Sequence, residues 1–460
     1  MNEPARALIA VTAALLVASC GAKAPAAEPS FPAAATSAAA AAPSSSAGSG
    51  ADDWPTYHRD NQRSGLGADQ PAARRLTPAW RARLDGAVYG QPLVIGGRVL
   101  AATEHDTVYA LDAADGAVVW SRHVGTPAPL SSLPCGNIDP LGITSTMAYD
   151  AATGLVFALA ETTGGVHTLY GIDVASGAVR VQRVAEAPHG DKRAHQQRSA
   201  LTVLDGKVYV AYGGLAGDCA QYIGSVVAVP TSGEGDLLSY AVPTPREGGI
   251  WSPGGGIVLG GKLYYAVGNG ESTSGFDGSD SVIELDAGLR RTDLFAPSTW
   301  ADDNARDLDL GSMTPAVVNG SIVIAGKRGA AYVLDPAHLG GLGGQRSETR
   351  ICEPFGGAAV RGSTIYLPCN DRVRSATLDS AGRLAPGFEG PSGTAGSPVL
   401  AGGAVWVVDY DAGLLYLLSP ADGHVVAQQA IGTAPHFASP TVAGGRGFVG
   451  TMTGVVCVTY

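Results

Sequence analysis

Between Gln91 and Trp120 the chain reads Gln91-Pro92-Leu93-Val94, then Gly96-Gly97-Arg98-Val99-Leu100, then Thr107-Val108-Tyr109-Ala110-Leu111-Asp112, and finally Asp115-Gly116-Ala117-Val118-Val119-Trp120. Each piece is a short apolar or alternating run closed off by Gly or Asp, the pattern of strands joined by tight turns. The stretch therefore reads as one four-stranded antiparallel meander. The pattern returns along the chain. Aligned on Leu111, the equivalent positions are Ile172, Val229, Leu285, Leu334, Leu378, Leu418 and Val458, a spacing of about 50 residues. A sheet of this size cannot bury both faces alone, so eight such units predict an all-β, eight-bladed β-propeller of four-stranded antiparallel blades. Inner strands restart at Thr314-Pro315-Ala316-Val317, Ser397-Pro398-Val399-Leu400 and Ser439-Pro440-Thr441-Val442. The eighth unit reaches Tyr460 before its outer strand, while residues 77–84 read like residues 118–124. The N-terminal strand is expected to close the last blade and so remove a free sheet edge.

Composition agrees. Gly 64 and Pro 29 suit strands and turns, and 45% apolar residues give a sizeable core. A net charge of −11 without basic clusters argues against nucleic acid as a partner. The apolar run Ala7 to Val17 is too short for a membrane-spanning helix, which takes about 20 residues. It fits the core of a secretory signal. Val17-Ala18-Ser19-Cys20 resembles a bacterial lipobox, implying a lipoprotein signal peptide over 1–19 and lipidation of Cys20. Residues 20–52, rich in Ala, Pro and Ser, are expected to form a disordered tether. The propeller then occupies 53–460. This organisation places the protein outside the cytoplasm, lipid-anchored to a bacterial membrane, as a monomeric propeller.

The unit Tyr109-Ala110-Leu111-Asp112-(x3)-Gly116-(x3)-Trp120 resembles the repeat of the PQQ-type eight-bladed propellers. That superfamily holds quinoprotein alcohol dehydrogenases and a propeller lipoprotein of the outer-membrane β-barrel assembly machine. The resemblance implies that Trp80 and Trp120 pack between neighbouring blades. For the dehydrogenases it implies a flat quinone held between a Trp and a disulfide of adjacent cysteines, with Ca²⁺ beside a catalytic Asp. The chain has no adjacent Cys pair. Its cysteines instead suggest bridges Cys135–Cys219, between long loops of nearby blades, and Cys352–Cys369, across a hairpin. Cys457 is left as a buried thiol.

Residues preceding the inner strands should ring the channel mouth. The ligand-binding candidates are Tyr89, Gln91, Thr146, Arg198, Trp251, Met313, Phe355 and His436, a mixed aromatic and polar set suited to a small molecule or peptide. Asn269, Asp277 and Asp280, in an oxygen-rich loop, are the metal candidates. The run Asp302, Asp303, Asp307, Asp309 reads as a solvated acidic loop. No nucleophile elbow, P-loop or Cys-x-x-Cys occurs. With no catalytic constellation legible, the expected function is a non-enzymatic binding or assembly scaffold at the envelope. It would need no cofactor and would have an envelope protein or small ligand as partner. A PQQ- and Ca²⁺-dependent quinoprotein-type oxidoreductase, with Asp277 or Asp280 as ligand, is the first alternative; an extracytoplasmic small-molecule or peptide sensor is the second.

Overall fold

The computed structural model describes residues 29, 31–34 and 50–460. Signal segment 1–19 and Cys20 lie outside the described residues, as does most of the expected tether. Eight antiparallel sheets form the ring. Blades 1 to 7 span 93–123, 148–184, 202–241, 257–296, 316–350, 359–389 and 399–430. Blade 8 combines 441–459 with Thr77–Arg83 as its outer strand, paired Thr77 to Thr459 and Arg83 to Gly454. Blades 3 and 4 each carry a short extra strand. Among the described residues the tether expectation needs one correction. Residues 31–34 lie along the outer edge of blade 8, with Arg81 N donating to Pro32 O (2.9 Å) and Ala34 N to Arg81 O (3.0 Å). An outer strand leaves one row of N–H and C=O groups bare, and this segment takes some of them up.

The eight aligned positions all sit in third strands and are buried. The glycine of the repeat has a packing cause. The Trp120 indole of blade 1 donates to Val174 O (3.0 Å) in blade 2 and covers Gly177, where an added Cβ would lie 2.7 Å from the ring. Trp80 of blade 8 covers Gly116 of blade 1 in the same way, and Phe388 of blade 6 covers Gly423 of blade 7. Each glycine also has positive φ, so turn geometry and the neighbour's ring both demand the missing side chain. The cysteines form Cys135–Cys219 and Cys352–Cys369, and Cys457 is a buried free thiol.

The innermost strands present bare edges to the central channel, and the segment Trp54–Gly67 satisfies them. Trp54 exchanges backbone hydrogen bonds with Val94 in blade 1, and its indole donates to Val442 O (2.8 Å) in blade 8. Pro55 O accepts from Tyr149 N in blade 2, Asn61 bridges Val203 and Val258 in blades 3 and 4, and Ser64 O and Gly65 O accept from Val360 and Leu400 in blades 6 and 7. Arg63, 2% exposed, donates to Leu201 O (3.0 Å), Thr202 Oγ1 (2.7 Å) and Gly256 O (3.2 Å). His58 is pulled down to about 3 by burial. It is therefore neutral, with Nδ1 donating to Ala358 O and Nε2 facing the Ser439 hydroxyl. The channel is thus plugged by one turn-rich segment that ties seven blades together.

If ring-on-glycine packing holds the blades in register, Gly177→Ala should cost about 2–3 kcal/mol, from the αL conformation plus overpacking. Gly154→Ala also has positive φ, but its added Cβ meets nothing within 4 Å; it should cost only about 1 kcal/mol. Urea midpoints of the two variants check this; equal losses would assign the effect to backbone conformation alone.

Candidate functional site

The plug leaves one side of the channel open, and there the loops entering and leaving the inner strands enclose a cavity of about 450 Å³. Blades 3, 4 and 5 supply its chemistry. Trp251 sits on the loop into the inner strand of blade 4, fixed by Ile250 N donating to Tyr212 O (3.0 Å). A Cβ at Gly213 would lie 2.7 Å from the Trp251 Cβ, so the Trp251 residue packs directly on a glycine backbone. Phe355 and Phe437 stack on each other, 5.9 Å apart and within 7° of parallel. Both lie tilted to Trp251, at 6.5 and 6.3 Å. Phe437 holds φ +68, a rare conformation for a bulky residue and a mark of a constrained site.

Arg198 lies in the cavity floor. Its guanidinium donates to Thr144 O (3.3 Å) and His436 O (2.8 Å) and faces the rings of Tyr89 and Phe437 at 5.4 and 5.7 Å. Burial pulls its pKa below the usual arginine value, against the opposing pull of Glu104. A buried guanidinium whose hydrogen-bond acceptors are carbonyls keeps positive charge available for an anion.

Asp309 forms the opposite pole. It is 4% exposed and accepts from Asn269 N (2.6 Å), and its other oxygen pairs with Lys327 Nζ at 2.6 Å. The Asn269 amide, turned so that its nitrogen donates, also hydrogen-bonds this carboxylate. Lys327 additionally pairs with Asp307 (2.8 Å). Burial raises the Asp309 pKa, while Lys327 and the Asn269 N–H pull it back. Burial alone would lower Lys327, but Asp309 and Asp307 outweigh it and raise it. Close approach depends on Gly268, where an added Cβ would lie 2.6 Å from Asp309 Oδ1 and 3.3 Å from the Trp251 indole nitrogen. A buried carboxylate with raised proton affinity, held by a cation in an open pocket, is the arrangement of a general base.

Five of the eight ring candidates line this cavity: Tyr89, Arg198, Trp251, Phe355 and His436. Gln91, Thr146 and Met313 do not. Gln91 turns inward, accepting from His58 N (2.8 Å) and donating to Pro440 O (2.7 Å), while Thr146 Oγ1 accepts from Gln91 N. Met313 is fully buried among the strands of blades 4 to 6. Of the metal candidates, Asn269 lines the cavity. Asp277 is occupied by Thr244 and Ser279, and Asp280 is buried behind the cavity, accepting from Leu310 N. The acidic run splits. A helix, Trp300–Arg306, opens it, with Asp302 exposed and Asp303 buried against Arg328, and only Asp307 and Asp309 reach the cavity. The reading of this run as a solvated loop missed Asp309. Lys327 was missed too, although one of only five lysines beside 25 arginines was a usable signal.

A planar, multiply anionic aromatic group fits this donor set. Trp251, Phe355 and Phe437 offer flat apolar faces, Arg198 supplies a cationic end, and glycine positions let the walls close in. Fold and site together define a quinoprotein-like propeller. Residues 77–270 match the model of the family described as outer membrane protein assembly factor BamB. Two polyvinylalcohol dehydrogenases are similar in sequence. That of Sphingopyxis sp. (strain 113P3) is 24% identical over 314 residues, covering 58% of this chain and 45% of the relative. That of a Pseudomonas sp. is 26% identical over 350 residues, covering 66% and 52%. The chain thus spans about half the length of these curated relatives. The crystal structure of quinohemoprotein alcohol dehydrogenase from Comamonas testosteroni superimposes with a TM-score of 0.65 at 17% identity, covering 89% of this chain and 80% of that one. In fold, and in sequence over residues 77–270, the chain is thus similar to the PQQ-like eight-bladed propellers.

These relatives correct two expectations. A non-enzymatic scaffold without a cofactor is overturned by sequence relatives named polyvinylalcohol dehydrogenase and by the shared fold of a quinohemoprotein alcohol dehydrogenase. The physical reason is that Arg198, Trp251, the Asp309–Lys327 pair, Phe355 and Phe437 are carried by five different blades and form no linear motif.

Gly268→Ala should push the Asp309 carboxylate out of place while the blades stay folded. The unfolding temperature should fall by only a few degrees, and the component of tryptophan emission that Trp251→Phe removes from wild type should lose its pH dependence, as it also does in Asp309→Asn.

Proposed function

We propose that the protein is a PQQ-dependent, quinoprotein-type oxidoreductase that converts alcohols to carbonyl compounds. The observation that carries this reading is the buried Asp309 carboxylate, 2.6 Å from Lys327, in a cavity whose walls are Trp251, Phe355 and Phe437 and whose floor is Arg198. Trp251 would provide the stacking face, and Arg198 would bind an anionic oxygen. Bound, the cofactor would supply a two-electron acceptor for the alcohol carbon, later re-oxidised by an external electron acceptor. Asp309 would take the hydroxyl proton on its carboxylate, and Lys327 would hold that carboxylate in orientation. For Ca²⁺, which takes six to eight oxygens, Asn269 and Asp309 would offer only part of the shell. Among the described residues no three His, Cys, Asp or Glu side chains form a ready metal cage, so cofactor and water oxygens would have to complete it. The names of the relatives make secondary alcohols, polyvinyl alcohol among them, the substrates to try first.

The same reading places the protein outside the cytoplasm, a monomer held at a bacterial membrane through lipidated Cys20. The lipobox-like Val17-Ala18-Ser19-Cys20 and the two disulfides support an exported chain.

Calorimetry of PQQ binding, with and without Ca²⁺, tests the assignment. Saturable binding is expected, weakened at least about tenfold by Trp251→Ala. Asp309→Asn should leave binding within a few-fold but lower PQQ-dependent dye reduction by about 10²–10⁴. Absence of binding to folded protein would remove the oxidoreductase reading.

A further inference from the structure

Glu104 stands two residues beyond the second strand of blade 1, Arg98–Ala102. Asn269 and Lys327 hold the same place after Lys262–Val267 and Ser321–Ala325, and both of those line the cavity. In blade 1 the equivalent side chain turns inward and is 2% exposed. Its Oε2 accepts from Gly142 N (2.8 Å) and Thr144 Oγ1 (3.1 Å), while Oε1 has no hydrogen-bond partner among the described residues. The Thr144 carbonyl in turn accepts from Arg198 Nη1 at 3.3 Å. Two hydrogen bonds therefore connect this buried carboxyl to the cation in the cavity floor.

We propose that Glu104 is a positioning residue for anion binding: through Thr144 it fixes the Arg198 guanidinium in the cavity floor, and its own charge competes with a bound carboxylate for that guanidinium. This rests on the cofactor reading above, since the anion is taken to be PQQ. The groups facing Glu104 are Arg198 from the entry to blade 3, Asp106 on its own turn, Glu161 from the second strand of blade 2, and Tyr89 across the floor. Only Arg198 is a cation. Burial pushes the Glu104 carboxyl up to about 7, with the Gly142 and Thr144 bonds and Arg198 pulling it down and Glu161 pushing it further up. Below that point the carboxyl is neutral, and Arg198 faces the ligand with its charge undivided. Above it, a second buried anion lies close behind the guanidinium, and a polycarboxylate in the cavity is repelled.

The test is PQQ binding to the ligand-free full chain at pH 5.5, 7.0 and 8.5, for wild type, Glu104→Gln and Glu104→Ala, with pyridine-2,6-dicarboxylate as a second planar anionic probe. Wild-type affinity should fall about tenfold from pH 5.5 to 8.5. Glu104→Gln keeps an acceptor for Thr144 without the charge; it should bind as wild type does at pH 5.5 and about tenfold tighter at pH 8.5. Glu104→Ala releases Arg198 and should bind weakly at every pH, with the Gln variant as its rescue. A Gln variant that keeps the wild-type pH slope overturns the proposal. Thermal unfolding without ligand supplies an independent arm. A raised carboxyl pKa means that stability is fullest below the unfolded value and is lost as pH rises through the folded one. Glu104→Gln should therefore unfold at a slightly higher temperature than wild type at pH 5.5 and gain most at pH 8.5, above the folded value of about 7; a gain that does not grow between the two also overturns the proposal. Binding of the dicarboxylate but not PQQ retains the anion site and removes the cofactor reading, whereas binding of neither removes both.

Discussion

Every blade here is a four-stranded sheet with two faces to bury and only its neighbours to bury them against. That requirement governs the molecule. It is met when an outer-strand ring such as Trp120 lies flat on the turn glycine of the next blade, and when the last blade borrows Thr77–Arg83 to close the circle. A sheet left unpaired on one face would expose a continuous apolar surface, so the ring tolerates no missing member. The inner strands then face one another across the axis with bare edges, and Trp54–Gly67 supplies the missing partners. Because strand positions are fixed at both ends, the loops between them can carry chemistry without carrying the fold.

The cavity shows how such loops hold opposite charges apart. Arg198 leans on carbonyl oxygens and aromatic faces, whereas Lys327 is bound between Asp307 and Asp309. One cation is therefore largely available to a ligand, and the other is spent on orienting an acid. Apolar rings between them raise the strength of both fields by excluding water. Glycines at 213 and 268 are the structural cost of this crowding, since a methyl group at either would strike Trp251 or Asp309.

The fold was legible because its signal is repeated. Leu111 and its seven equivalents, the Asp-x3-Gly turns and the stray N-terminal strand all state one pattern, and each statement corrects errors in the others. Placement before an inner strand also found Tyr89, Arg198, Trp251, Phe355 and His436. The same rule failed for Gln91, Thr146 and Met313, because one or two further residues along the strand carry a side chain from the mouth into the hydrogen-bonded floor or the interblade core. Asp309 illustrates a different limit. It shares a run with exposed Asp302 and Asp307, and charge density alone cannot separate a solvated acid from one buried beside a lysine 18 residues later. The site draws single residues from several blades, and only the closed ring brings them within reach of each other.

The plugged channel has a consequence for traffic. With Trp54–Gly67 sealing the axis, the cavity is a cup and not a conduit. Any small molecule that reaches the aromatic and charged walls must enter and leave by one mouth, so a product would have to clear before the next ligand could occupy the base, and loop motion at the rim would enter each exchange.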